Sequence, residues 1–147
     1  MFSRIVVAID GSSTARQALR EAIDLARDDR AALCIAHVVD VVTLAAETPY
    51  ALHERDEALR KPAQAILDEA ASLAREAGVE AETKLLVIDK LGDRVADEIA
   101  RLAKRWKADV IVVGTHGRRG ASRLFLGSVA ETIVRCATTP VLLVRGQ

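Results

Sequence analysis

Apolar and polar positions follow two periods along this chain, and the two take turns. Ile5 to Ile9 is an unbroken apolar run of strand length, closed by the polar turn Asp10-Gly11-Ser12-Ser13. Ala15, Ala18, Leu19, Ala22, Ile23 and Ala26 then recur at the spacing that lines one face of a helix. Thr14 with Gln17 fits a capping box at its start. Leu33 to Val39 reads as a second strand. Residues 40–60 are the least regular part, broken at Thr48-Pro49-Tyr50. The helical period resumes with Ile66, Leu67, Ala70, Leu73, Ala74 and Ala77, and Gly78 follows where a helix takes its terminating glycine. Pro62 sits either in the first turn of this helix or inside a longer one beginning near Ala51; the pattern fits both. Lys84 to Ile88 reads as the third strand, and Val95, Ile99, Leu102, Ala103 and Trp106 as the third helical face. Val110 to Val113 is the fourth strand, Val129 to Ala137 the fourth helix, and Val141 to Val144 the fifth strand.

Strands and helices thus alternate strictly. Strands that are apolar throughout are buried on both faces, as in a parallel sheet covered by helices. The predicted fold is α/β: a single-domain, doubly wound (Rossmann-like) five-stranded parallel sheet over 1–147, strand order 3-2-1-4-5, with helices on both faces. In such a sheet, ligands collect at the carboxyl ends of the strands where the winding reverses. The first and fourth strands meet there, and each is followed by a polar glycine turn.

Composition narrows the partners. At 147 residues, with 50% apolar residues and 21 basic against 21 acidic side chains, the chain has room for a full core and no basic footprint for nucleic acid. No apolar run approaches the roughly 20 residues that cross a bilayer. Met1-Phe2-Ser3-Arg4 leads into the first strand without a signal-peptide pattern, so no membrane partner and a cytoplasmic location are expected. Cys34 and Cys136 lie in apolar patterns and read as buried filler rather than a disulfide or metal pair. His37, inside an apolar strand, reads as a packed and hydrogen-bonded residue. His53 carries no signal, and Trp106 reads as core or rim rather than as a stacking platform. Asp68, Glu69, Arg75 and Glu76 form a solvated face.

The chemistry concentrates after the fourth strand, in Gly114-Thr115-His116-Gly117-Arg118-Arg119-Gly120 and then Gly127-Ser128-Val129. Glycines let a backbone approach a ligand closely, and the unbonded N–H groups of a helix start attract anions. Arg118, Arg119 and Arg123 make the loop basic, with no acidic residue between Val110 and Glu131. Alone, such a loop reads equally as a solvated turn. A dinucleotide fold would place G-x-G-x-x-G after the first strand, where only Gly11 stands, and a P-loop needs a Gly-Lys pair, which the chain lacks.

The spacing that does occur, Gly114-x2-Gly117-x9-Gly127-Ser128, resembles the nucleotide-binding motif of the universal stress protein family, in its ATP-binding branch. The likeness extends to Asp10-Gly-Ser12, His37-Val38-Val39-Asp40, Leu126-Gly127-Ser128-Val129-Ala130 and Pro140-Val-Leu-Leu-Val-Arg145. The resemblance implies an adenine site at Ala8, Ile9 and Val38, with Asp10 near the ribose or metal-bound phosphates. It implies that Gly114, His116, Gly117 and Arg118 wrap ribose and phosphates, and that Gly127, Ser128 and Val129 donate to the phosphate tail. Ser12 belongs to the same set. Ala130 lacks the hydroxyl some relatives carry there.

Other readings stand beside these. Ser128 is also a good N-cap, Asp10 a possible helix cap beside Ser12 and Ser13, and His116 a phosphate neighbour or a solvated side chain. The implied ligand is ATP with Mg or Mn, the metal held at Asp10 but mostly through phosphates and waters. The expected role is a nucleotide-binding stress-response module, not an enzyme beyond slow ATP hydrolysis, phosphotransfer or autophosphorylation. The loop offers no Lys and no carboxylate pair to polarise a water. A phosphoacceptor signalling domain is a weaker alternative: it would need an acidic cluster after the first strand, an acceptor Asp after the third and a Lys after the fifth, whereas the chain has Asp10 alone, Asp89 in a plausible place and Arg145 instead of Lys. The fifth strand, 141–144, is apolar on both faces yet lies at the sheet edge, so a homodimer built on it is expected. Dimers of the family that this chain resembles use that edge.

Overall fold

The apolar runs become parallel strands because helices cover both of their faces. A computed structural model describes residues 1–43, 52–116 and 126–146. Its strands are β1 (Arg4–Ile9), β2 (Ala32–Asp40), β3 (Ala81–Ile88), β4 (Val110–Gly114) and β5 (Val141–Val144). They are connected by helices α1 (Ser13–Asp29), α2 (Leu52–Glu76), α3 (Val95–Arg105) and α4 (Ser128–Cys136). The described strands form one parallel sheet in the order β3-β2-β1-β4-β5, as the alternation predicts.

Successive residues of a strand point to opposite faces, and each face has its own cover. Ile5, Val7 and Ile9 of β1, with Val110 and Val112 of β4, pack under α1 and α2. Ile111 and Val113 of β4 pack instead against Ala96, Ile99 and Ala103 of α3 and Ile133 of α4. Val6, Cys34 and Ala36 meet Leu102 on that same side. Cys34 is buried, which pushes its thiol up to about 12 and keeps it protonated and inert.

Several local expectations change. The cap of α1 is Ser12, whose hydroxyl accepts the N–H of Ala15 at 3.1 Å; Thr14 is instead buried inside the first turn. Gly11 takes φ +80°, and the helix is capped two residues earlier than a Thr14 cap would place it. Pro62 lies inside one long helix that begins at Leu52. Part of the irregular stretch is therefore helical. Gly78 does terminate α2, with φ +80°.

β3 starts at Ala81, not Lys84. It is an edge strand, and its first half carries charges toward solvent, with Lys84 Nζ 2.7 Å from Glu82. Charged side chains on an edge discourage pairing with another sheet, and they also hide the strand from an apolar-run reading. Trp106 is at the rim: its indole N–H donates to Glu82 at 2.9 Å, and the Arg4 guanidinium stacks 4.0 Å from its ring. Cys136 is exposed at the end of α4 rather than buried. Among the described residues no helix is long and apolar enough to cross a membrane.

Candidate functional site at the ends of β1 and β4

β1 feeds α1 on one face of the sheet and β4 feeds α4 on the other, so a crevice opens where the two strands end side by side. A cavity of about 700 Å³ occupies it. That is within the range of roughly 300–1,000 Å³ typical of small-molecule sites. Ala36, Val38, Val95, Ile99 and Val113 give it apolar walls, and Asp10, Ser12, Asp40, Thr43, His116 and Ser128 its polar groups. Of the residues singled out in the sequence, Ala8, Ile9, Asp10, Ser12, Val38, Gly114, His116, Gly127, Ser128 and Val129 all line it. Gly117 and Arg118 lie outside the described residues.

The rim on the α1 side is built by side chains holding backbone. Asp10 Oδ1 accepts the N–H of Ser12 at 2.9 Å. Ser12 in turn caps α1 through its hydroxyl, and its carbonyl accepts the N–H of Arg16 at 3.0 Å. Asp10 therefore shapes the turn into α1 and lines the cavity, while the helix cap expected of it belongs to Ser12. His37 is buried as expected, with Nδ1 2.7 Å from the carbonyl of Ile9. That contact ties β2 to the end of β1 directly beside the cavity.

The α4 side supplies donors. Gly127, not Ser128, is the N-cap, with φ −59° and no side-chain cap bond; Ser128 is the first helical residue. The first bond of the helix ladder runs from Glu131 N–H to Gly127 O at 2.9 Å. The N–H groups of Ser128, Val129 and Ala130 precede that ladder, as the first donors of any helix do, and all three residues line the cavity. Aligned donors of this kind favour negative charge.

Asp40, quoted in the motif His37-Val38-Val39-Asp40 without a role, also lines the cavity. Its carboxylate accepts the Thr43 N–H at 3.0 Å and the Thr43 hydroxyl at 2.6 Å, and both residues line the cavity. The signal was available: Ile9 is level with His37, so the end of β2 reaches the same rim as Asp10. Among the described residues no group of three His, Cys, Asp or Glu comes together as a metal cage. Asp89 and Arg145, which a phosphoacceptor domain would need at Asp10, do not line the cavity.

One close approach joins α1 to the end of β4 beside the crevice. A Cβ on Gly114 would lie 2.8 Å from Thr14 Cγ2 and 3.0 Å from both the carbonyl carbon and oxygen of Thr14. The first turn of α1 is pressed onto the end of β4, and only glycine leaves space for it.

The family model described as "Universal stress protein family" matches residues 1–145. A universal stress protein of Methanocaldococcus jannaschii is 36% identical over 148 residues, covering 99% of this chain and 83% of that protein. Two solved structures resemble the whole domain. One is a universal stress protein in complex with cAMP, 28% identical, with a TM-score of 0.73 and 97% of each chain covered. The other is the universal stress protein from Archaeoglobus fulgidus in complex with dAMP, 29% identical, with a TM-score of 0.69 and the same coverage. The chain belongs to the universal stress protein family.

The Thr14–Gly114 contact generates a prediction about stability. Gly114→Ala should destabilise the fold by about 1–3 kcal/mol, the usual cost of overpacking against atoms that cannot retreat. Gly146→Ala should cost less, because its Cβ would meet first the Thr14 hydroxyl at 3.1 Å, which a side-chain rotation relieves. Urea denaturation of the two variants checks this: equal midpoints would show that the α1–β4 approach is not tight.

Proposed function

We propose that this protein binds an adenine nucleotide in the crevice between β1 and β4 and acts as a nucleotide-binding module in a stress response. The carrying observation is that Asp10 and Ser12 after β1, Gly114 and His116 after β4, and Gly127 with the first residues of α4 line one cavity with apolar walls. The relatives solved with cAMP and dAMP support an adenine, a pentose and one phosphate as the shared ligand chemistry. In this reading adenine lies against Ala8, Ile9 and Val38. The phosphates approach Gly127 and the N–H groups of Ser128, Val129 and Ala130, with Gly114 and His116 beside them. Gly117 and Arg118 complete the loop.

The physiological ligand in this proposal is ATP with Mg or Mn. Asp10 and Asp40 border the cavity, and a divalent ion would take most of its ligands from phosphates and waters rather than from a protein cage. Its chemistry would be charge neutralisation of the phosphate tail. The module reading is favoured over an ATPase because, among the described residues, no Lys lines the cavity and both carboxylates already accept backbone or hydroxyl donors. The cytoplasm is the proposed location.

Gly127→Val tests the phosphate assignment. The φ of −59° at Gly127 suits any L residue, so the variant should fold with an unchanged circular dichroism spectrum. Calorimetry should show ATP affinity falling by at least about tenfold, or 1.4 kcal/mol. Unchanged affinity would remove the α4 start from the site.

The same proposal includes a homodimer through β5. Leu142 and Leu143 are 38% and 37% exposed on an edge strand. A two-fold partner pairing there would cover them and satisfy the open edge. Light scattering at micromolar concentration should give the dimer mass, and Leu143→Pro should give monomer or precipitate. A parent protein of monomer mass would refute the pairing.

A further inference from the structure

Thr115, to which the sequence motif gives no role, makes three directed contacts beside the crevice. It is 6% exposed. Its N–H donates to the carbonyl of Val144 at 2.9 Å, and its own carbonyl accepts the N–H of Gly127 at 2.6 Å. Thr115 thus ties the end of β4 to the end of β5 and to the N-cap of α4, so both ends of the glycine loop are fastened at this residue. Its hydroxyl, held in place by those backbone bonds, lies 2.8 Å from Nδ1 of His116.

The other nitrogen of that ring is the informative one. Among the described residues His116 Nε2 is buried with no hydrogen-bond partner, and His116 lines the cavity. Buried polar atoms nearly always have partners, so an orphan in a cavity wall marks a place where a ligand atom or water completes the set. A neutral imidazole carries one proton. When the Thr115 hydroxyl donates to Nδ1, that proton sits on Nε2 and the cavity gains a donor. With the opposite arrangement Nε2 would present a lone pair.

The neighbouring wall decides between the two. Ser128, Val129 and Ala130 bring the first N–H groups of α4 to the same cavity, so the part of a ligand seated there is rich in oxygen acceptors. A lone pair on Nε2 would repel those oxygens. We propose that Thr115 is a positioning residue: its hydroxyl holds His116 in the Nε2-protonated tautomer, which presents that N–H to an oxygen of the ligand's ribose–phosphate portion. This rests on the adenine-nucleotide reading of the site.

Two measurements test it. Long-range proton–nitrogen correlation spectra of the ligand-free protein report the tautomer directly and need no nucleotide. They should show His116 protonated on Nε2 in the parent and in Thr115→Ser, and a shifted or mixed tautomer in Thr115→Val. Valine keeps the shape of the side chain and leaves both backbone bonds available, so the variant should fold, and the serine variant restores the hydroxyl. Calorimetry with AMP and with ATP should show Thr115→Val weakened by about tenfold and Thr115→Ser close to the parent. In a His116→Ala background, Thr115→Val should cost nothing more.

A parent ring protonated on Nδ1 would overturn the proposal. So would a Thr115→Val protein that binds like the parent, or a loss that persists in full without His116, which would mean that Thr115 acts through packing. A parent that binds neither AMP nor ATP would instead overturn the nucleotide reading, and the ligand-free spectrum would still decide whether Thr115 sets the tautomer.

Discussion

The pairing of β1 with β4 is the constraint on which the rest of the molecule depends. Ile5 stands level with Val110 and Ala8 with Val113, although most of the chain separates them. That long-range ladder is where the winding reverses. Because α1 leaves to one face and α4 to the other, the strand ends cannot be covered by either helix, and a crevice is left open. An enclosed apolar core on both sides makes the ladder worth forming, since Val7 and Val112 are sealed under α1 while Ile111 and Val113 are sealed under α3 and α4.

The crevice combines two kinds of wall, and each follows from backbone geometry. Apolar positions at the strand ends, such as Val38 and Val113, continue the core outward. The polar part comes from groups that the fold leaves over: the first donors of α4, the turn that Asp10 holds for α1, and His116 at the exit of β4. Most of these side chains also hold the backbone or a neighbouring side chain. Asp10 fixes the Ser12 amide, Asp40 fixes Thr43, and Thr115 fastens the loop ends. Binding chemistry is thereby placed on rigid supports, which lowers the ordering cost of taking up a ligand.

The central strands were legible in the sequence because burial on both faces leaves an unbroken apolar run, as in Ile5 to Ile9 and Val110 to Val113. β3 was half hidden because an edge strand faces solvent along one side, and Glu82 and Lys84 interrupt the run there. The cap of α1 was misplaced by two residues because Ser12, Ser13 and Thr14 all carry capping oxygens, and only the left-handed Gly11 decides among them. A similar ambiguity put the cap of α4 at Ser128, whereas Gly127 takes it with ordinary backbone angles. Cys136 looked buried by company, yet the last turn of α4 turns it outward. At the crevice, the glycine spacing and the polar turn after β1 point to the same end of the sheet, where residues of both line one cavity. Asp40 escaped because its contribution depends on strand register, and Thr115 because its role lies in three-dimensional bonding that no motif spells out.

Nitrogen-edited chemical-shift mapping during titration with ATP and magnesium tests the central claim most directly. A nucleotide in the β1–β4 crevice should shift, saturably and together, the backbone amides of Ile9, Asp10, Val38, Gly114 and Gly127 to Ala130. Saturable shifts confined instead to the groove between α1 and α2, at Leu19, Ala70 and Leu73, or no saturable shifts at all, would contradict the account.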